Sequence, residues 1–385
     1  MRTLIIAAGR FGETMREEVA AGREPRLDVF ELAERLNADV LDYLDVDRSR
    51  LPKVRLLART LGYSAAVAYL GFNERTRYDA YLTTGEDIGI PLGAMLMTSN
   101  ARCSHTMIAH TLTPAKKSVF FRYLGVQRGI DRLLAYSTAE ERHMLNELQI
   151  PRNKVQRIFF HADPLFFTPS LAPPDPRLIC GAGQLLRDYD TLIDSVEGLD
   201  VRLEIAAGSP WIAAPLNPRR SLPAYVKWGR LGRPALRDLY GRAALAAVPI
   251  FENDYQTGIA TILEMMSMGK CVIASRTRGQ TDTIVDGVTG VYVPPGDVQA
   301  MRHAIERLLG NPDEAARLGR NARQFILEEA SLDHFVTRVA KAVEGGHKAR
   351  FRLTRIERDE PEVTAGTWSE RSTSRADRDE KPRIQ

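Results

Sequence analysis

The sequence predicts an α/β protein built from two doubly wound domains, and three observations carry that reading. Short apolar strands alternate with amphipathic helical stretches from residue 1 to about residue 330, the pattern of parallel sheets covered by helices. The length, 385 residues, exceeds one core and suits two domains of roughly 150 to 200 residues each. Between Pro164 and Pro176 the sequence PLFFTPSLAPPDP carries five prolines and no helical period, so a stiff linker separates two such series.

In the first series, expected over residues 1–165, a strand Thr3 to Ala8 is followed by a helix near Val29 to Asn37 and a long helix near Lys53 to Leu70. A strand Asp79 to Thr83, a helix near Pro91 to Ser99 and a strand Thr106 to His110 come next. A helix Ala115 to Leu124, a strand Leu133 to Ser137 and a helix Thr138 to Leu148 complete it. After a linker at residues 166–176, the second series covers residues 177–330. It begins with the strand Arg177 to Gly181, a helix Tyr189 to Val196 and strands Arg202 to Ala207 and Tyr225 to Lys227. It continues with a helix Pro234 to Ala243, a strand Leu245 to Ile250, a helix Gly258 to Met268 and a strand Lys270 to Ala274. A short helix after Gly279, a strand Gly290 to Val293 and a helix Val298 to Leu309 end the series. A final helix is expected over residues 331–345, and residues 346–385, charged and poor in apolar side chains, are expected to be disordered.

Composition narrows the function classes. With 44% hydrophobic and 26% charged residues the chain is neither fibrous nor disordered as a whole. A formal charge of +4, with much of the excess arginine near the end of the chain, gives no argument for a nucleic-acid partner. Cys103, Cys180 and Cys271 stand in separate apolar segments without metal-ligand spacing and read as buried free thiols of a reducing compartment. The apolar run before Gly9 is too short for a signal sequence, and no stretch approaches the roughly 18 to 20 residues that span a bilayer. A cytoplasmic protein, peripheral at a membrane if it meets one, is expected.

The most informative stretch is DYQTGIATILEMMSMGKCVIAS, Asp254 to Ser275. Thr257, Gly258 and Ile259 open a helix, where unpaired backbone N–H groups and the helix dipole can hold a diphosphate without a metal. Glu264 lies deeper along that helix, where a carboxylate can accept hydrogen bonds from a ribose diol. This stretch resembles family 4 of the glycosyltransferases, in which two glutamates separated by seven residues precede an Ala-Met-Ala-x-Gly-like helix. Glu264 with MMSMG matches the second glutamate and the helix end after it, while Gln256 stands at the first. The resemblance continues through SRTRGQTDTIVDGVTGVYVPPGDVQAM downstream of it. It implies the GT-B fold, two Rossmann-like domains facing each other across a cleft, with the nucleotide-sugar donor held by the second.

The site residues that the resemblance implies can be placed one by one. In GAGQLLRDYDTLIDSV, Arg187 falls at the place of a diphosphate-binding lysine, Gln184 replaces an arginine, and Gly183 belongs to the same loop. Arg187 is then the cation for the leaving diphosphate, its bland alternative being an ion pair with Asp188 or Asp190, and Gln256 would touch the donor sugar. Backbone groups of Trp228, Arg230 and Leu231 would read the base, although Trp228 fits core packing equally well. The turn Gly9 to Gly12 would face the acceptor and the diphosphate, unless it is simply a tight turn; Glu86 and His110 share its strand-end edge. Asp163, in HADPLFF, matches the family's exit from the first domain and reads as structural.

No metal and no cofactor is expected. Asp45-Val46-Asp47 has the spacing of a magnesium pair but sits in a charged loop of the wrong architecture, and it receives no metal role. Lys116 to Arg128 mixes cations with Phe120, Phe121, Tyr123 and Leu124, as interfacial helices do; core packing with an exposed basic face explains the same pattern. The expected function is transfer of a sugar from a nucleoside diphosphate sugar to the hydroxyl of a small-molecule, glycan or lipid-linked acceptor, with retention of configuration. Its alternatives are a sugar-nucleotide epimerase of the same fold and a degenerate nucleotide-sugar-binding protein, the latter motivated by Gln184 and Gln256.

Overall fold

The computed structural model describes residues 1–208 and 214–359. Its first domain is a sheet of six strands, β1 Thr3–Ile6, β2 Ala38–Leu41, β3 Ala80–Thr83, β4 Ser104–Ala109, β5 Arg132–Ala135 and β6 Val155–Arg157. All pair in parallel, in the order β2-β1-β3-β4-β5-β6. Strands β1, β3 and β4 are buried along their whole length, because helices cover both faces and every side chain meets one of them. Alternation divides β1 between the two cores. Leu4 and Ile6 pack under the helices Tyr63–Asn73 and Glu86–Met97, while Ile5 meets the helix Asp28–Leu36 and the last helix of the chain.

The second domain repeats the plan with β7 Asp175–Ala182, β8 Arg202–Ala206, β9 Val226–Gly229, β10 Ala243–Val248, β11 Val272–Ser275 and β12 Val291–Val293. The order is β12-β11-β10-β7-β8-β9, again all parallel. One face buries Tyr240, Ile262, Met265 and Met266; the other buries Leu192, Ile193, Met301 and Ile305. The chain leaves the first domain at Ala162 and returns at Leu332, and the two crossings are tied side by side. The Ala162 N–H donates to the Ala330 carbonyl at 3.0 Å, and the Leu332 N–H to the Ala162 carbonyl at 2.9 Å.

Asp163, buried at this crossing, accepts from the Arg26 N–H at 2.9 Å and from its guanidinium at 3.0 Å, and the same guanidinium reaches Asp333 at 3.0 Å. One arginine thus ties together the exit, the return and the first domain. The returning helix, Leu332–Asp359, seats Phe335, Val339 and Val343 in the first core, and its Arg350 pairs with Asp131 at 3.3 Å.

Several expectations need correction. The long helix at Lys53 to Leu70 is two helices, Pro52–Thr60 and Tyr63–Asn73, because Gly62 turns with φ +88° between them. Asp45 and Asp47 lie on a short helix, Tyr43–Arg48, rather than in a loop; Asp45 closes a capping box with Asp42, and Asp47 accepts from the Tyr63 hydroxyl. The short helix expected after Gly279 does not form, and β7 starts inside the expected linker. Residues 346–359, expected in a disordered tail, continue the last helix, while residues 360–385 lie outside the described residues. The sequence reading also lacked the helices Glu13–Ala20 and Pro312–Phe325 and the strands β2 and β6. Among the described residues no helix is long and apolar enough to cross a membrane.

Arg26→Met strands the buried Asp163 carboxylate without its guanidinium partner. It is expected to lower stability to chemical denaturation by about 3 kcal/mol. An unchanged denaturation midpoint would show that the crossing does not depend on this pair.

Candidate functional site

In the second sheet the strand order reverses between β7 and β10, so a crevice opens at their carboxyl ends. Two loops line it and are joined to each other. The Asp188 N–H donates to the Pro249 carbonyl at 3.1 Å, and the Phe251 N–H to the Leu186 carbonyl at 3.0 Å. Leu186 is held with φ +53°, a left-handed conformation that a leucine adopts only under constraint, and its consequence is the direction of Arg187. That side chain turns inward over Gly183, where an added Cβ would lie 2.3 Å from the guanidinium.

Arg187 is buried, with 8% of its surface exposed, and its hydrogen bonds go to neutral acceptors. Nε donates to the Ala182 carbonyl at 2.9 Å, one terminal nitrogen to the Leu185 carbonyl at 2.8 Å, and the other to the Thr261 hydroxyl at 3.3 Å. Among the described residues no carboxylate comes within 4.0 Å of it. The ion pair with Asp188 or Asp190 does not form, since Asp188 caps the helix Tyr189–Ser195 and Asp190 meets Arg220 at 3.6 Å. Burial pulls the guanidinium below its ordinary pKa, while neighbouring groups that include the buried Glu264 carboxylate oppose the shift.

Against this cation stands the start of the helix Ile259–Ser267. Gly258 caps it with φ +81°, and no side chain bonds its first turn. The conformation and the space both require glycine, since a Cβ there would lie 2.9 Å from Ile250. Thr257, buried, shares a hydrogen bond with Asn253 at 3.1 Å and shapes the approach. Gln184 donates to the Ala214 carbonyl at 2.6 Å; its side-chain oxygen and that of Gln256 are buried without partners among the described residues. A buried cation and an open helix N-terminus therefore meet in one crevice, an arrangement suited to an anion.

Glu264 is buried deeper, and its carboxylate is already engaged. It accepts from Arg233 at 2.8 Å and from the Tyr240 hydroxyl at 3.3 Å, while Arg233 also reaches Glu24 of the first domain at 3.4 Å. Burial raises the Glu264 pKa, and Arg233 opposes that shift. The sequence reading missed Arg233; its place at the first turn of the helix Arg233–Arg242 carries no local motif. Trp228 spends its indole N–H on the Leu216 carbonyl at 3.0 Å and packs edge-on against Tyr189, so its ring belongs to the packing at the end of β9. Arg230 and Leu231 come after it in the loop beyond β9, and Arg230 lies against Gly208 beyond β8.

The first domain presents its own strand ends. The Gly9–Gly12 turn is pinned by Asp42, which accepts from the Phe11 N–H at 2.6 Å, and by the Gly9 carbonyl, which accepts from the Tyr43 N–H at 2.9 Å. His110 is exposed, with Nε2 at 3.0 Å from the Thr84 carbonyl. Glu86 shares that edge. It is buried, and its carboxylate accepts from the His110 N–H at 2.9 Å and from Lys117 at 2.6 Å, so it organises the edge. Nearby, the sequence reading missed Glu140, a buried carboxyl accepting from the Leu112 N–H at 2.6 Å and the Thr113 hydroxyl at 3.2 Å.

The two edges face each other: the Thr138 N–H, beyond β5, donates to Asp282, beyond β11. A cavity of about 280 Å³ lies between them, lined by Thr113, Ala139, Arg142 and His143 on one side and Asp254 and Arg278 on the other. A groove of about 470 Å³ beside Arg16, Leu27 and Phe30 is larger, but it lies between two helices of the first domain alone. Among the described residues no group of three or more metal-ligating side chains is assembled.

Known proteins resemble this chain. Residues 179–311 match the family Glycosyl transferases group 1. Over 101 residues the chain is 36% identical to the D-inositol 3-phosphate glycosyltransferase of Gordonia bronchialis, covering 26% of this chain and 21% of that one. Over 89 residues it is 34% identical to the alpha-D-kanosaminyltransferase of Streptomyces kanamyceticus, 23% of each chain. The chain thus spans about a quarter of the length of the curated relatives it matches. The Anabaena protein Alr3699/HepE, solved in complex with UDP-glucose, superposes with a TM-score of 0.66 at 16% identity, over 90% of this chain and 100% of that one. The architecture is therefore the GT-B fold.

Burial pushes the Glu140 carboxyl from its ordinary value of 4.5 up to about 7, against the hydrogen bonds from Leu112 and Thr113. The folded state therefore binds more protons than the unfolded one between these values. The associated stability is complete below about 4.5 and is lost as the pH rises through about 7. Glu140→Gln is expected to remove roughly 1 to 3 kcal/mol of the decline in stability between pH 5 and pH 8, read from denaturation at each pH. Parallel curves for the two proteins would contradict this.

Proposed function

We propose that this chain is a glycosyltransferase that moves a sugar from a nucleoside diphosphate sugar to an acceptor hydroxyl. The observation that carries the reading is Arg187, a buried cation whose hydrogen bonds go to neutral acceptors, set against the N-terminus of the helix that Gly258 begins. A diphosphate supplies the missing negative charge and accepts from the open N–H groups beyond Gly258 and Ile259. The group 1 match over this same domain supports it.

In this reading the acceptor hydroxyl attacks the anomeric carbon as its bond to the diphosphate oxygen breaks, and the hydroxyl proton passes to the departing phosphate. Arg187 and the helix N-terminus stabilise the charge that develops on that leaving group. Glu264 holds the ribose with the lone pairs that Arg233 and Tyr240 leave open, and Gln256 hydrogen-bonds the sugar through its side-chain oxygen. The backbone beyond β9, at Arg230 and Leu231, takes the base, while the Gly9–Gly12 turn and His110 border the acceptor in the cleft. Retention of configuration is part of the proposal and rests on the family resemblance. So does metal independence, since protein groups already supply the positive charge at the leaving group; transfer is expected to survive a chelator. A cytoplasmic location fits three buried free thiols. A peripheral membrane contact through Lys116 to Arg128 is supported by exposed Tyr123 and Leu124 beside exposed Lys116 and Arg128.

Titration calorimetry with a panel of nucleoside diphosphate sugars, followed by radiolabel transfer to glycan and lipid acceptors, tests the function. Arg187→Met is expected to weaken donor binding roughly 10- to 100-fold, because it removes the buried charge that stands against the helix start. Glu264→Ala should weaken the same binding. Full affinity in both variants would remove the donor site from this crevice.

A further inference from the structure

The helix Pro52–Thr60 and its flanks form an outer face that the proposed activity does not use. Val54 is buried and Leu57 and Ala58 are half-buried in the first core, which leaves residues 53, 55, 56 and 59 pointing away from it. Leu56, in the middle of that outward face, is 61% exposed. Leu51 before the helix and Leu61 after it are 47% and 70% exposed, so three leucines stand in water along roughly 15 Å of chain. Single exposed leucines are ordinary; three in one short surface segment are not.

The charge around them has one sign. From Arg48 to Leu61 there are five basic residues, Arg48, Arg50, Lys53, Arg55 and Arg59, and no acidic one. All five are exposed, and among the described residues none has a carboxylate within 4.0 Å. The acids just before them are engaged elsewhere: Asp45 accepts from the Asp42 N–H at 2.9 Å, and Asp47 from Arg10 at 3.3 Å. Unpaired cations interleaved with exposed leucines match a surface that is anionic outside and apolar beneath.

We propose that this face, Arg48 to Leu61, docks the first domain on an anionic lipid bilayer. The arginines and Lys53 meet the headgroup phosphates, and Leu51, Leu56 and Leu61 enter the boundary of the acyl region. A nucleic acid would satisfy the cations but offers leucine no apolar partner, and the outward face of this helix carries no aromatic ring to stack on bases. The surface is separate in sequence from Lys116 to Arg128, and it does not depend on the proposed chemistry.

The test is co-sedimentation of the full chain with vesicles of phosphatidylcholine alone and of phosphatidylcholine with phosphatidylglycerol. Binding is expected to the mixed vesicles, and to weaken with salt. The pairs Leu56→Gln with Leu61→Gln, and Lys53→Glu with Arg59→Glu, should each lower the partition coefficient at least about tenfold. Their circular dichroism and their affinity for a nucleoside diphosphate should match the wild type. The proposal is overturned if the wild type ignores anionic vesicles or binds both kinds equally. It is equally overturned if the two double variants bind as the wild type does, or if only Tyr123→Gln with Leu124→Gln abolishes binding.

Discussion

A guanidinium taken out of water needs a negative partner, and the second domain is arranged so that Arg187 hydrogen-bonds only neutral groups, with the Glu264 carboxylate acting on it through space. Its neighbours are committed to that arrangement. Leu186 accepts a left-handed turn, Gly183 yields the space of a Cβ, and the loop after β7 is fastened to the loop after β10. Strain and desolvation concentrated on one side chain cost stability, and a deeply buried sheet on which both loops stand offsets them. The chemistry proposed for the crevice comes from that imbalance rather than from any nucleophile or acid–base pair.

The second constraint is that the crevice is half of a site. The first domain reaches it by Glu24 on Arg233 and by the Thr138 N–H on Asp282. The paired crossings at Ala162 and Leu332, with Arg26 across them, fix where the halves can meet. Because Arg233 touches Glu24 with one edge and Glu264 with the other, the carboxylate assigned to the ribose senses the position of the opposite domain. Separation of the domains would release Arg233 from Glu24 and alter the charge around Glu264.

The legibility of these features in the sequence tracks their locality. Strands such as β10 and β11 were readable because burial on both faces makes them continuous apolar runs, whereas β2, only partly buried at the edge, offers Ala38 to Leu41 and no such run. The last helix passes its expected end at Gly345 because Gly346 and Arg350 lie on the first domain, a tertiary contact that overrides a local breaker. In the site, Arg187, Gly258 and Glu264 sit in one order along the chain and could be named from it. The occupation of Glu264 by Arg233 and of Glu86 by Lys117 could not, since each joins residues about thirty positions apart through the fold. Trp228 was open between two uses, and the Leu216 carbonyl on its indole N–H favours packing.

The central claim is that the charge missing beside Arg187 is supplied by a diphosphate. A crystal structure of the chain with a nucleoside diphosphate tests it most directly. The account predicts phosphate oxygens within hydrogen-bond distance of the Arg187 guanidinium and of the backbone N–H groups at Gly258 and Ile259, with the ribose against Glu264. Phosphates bound elsewhere, with Arg187 still resting on its neutral partners, would contradict it.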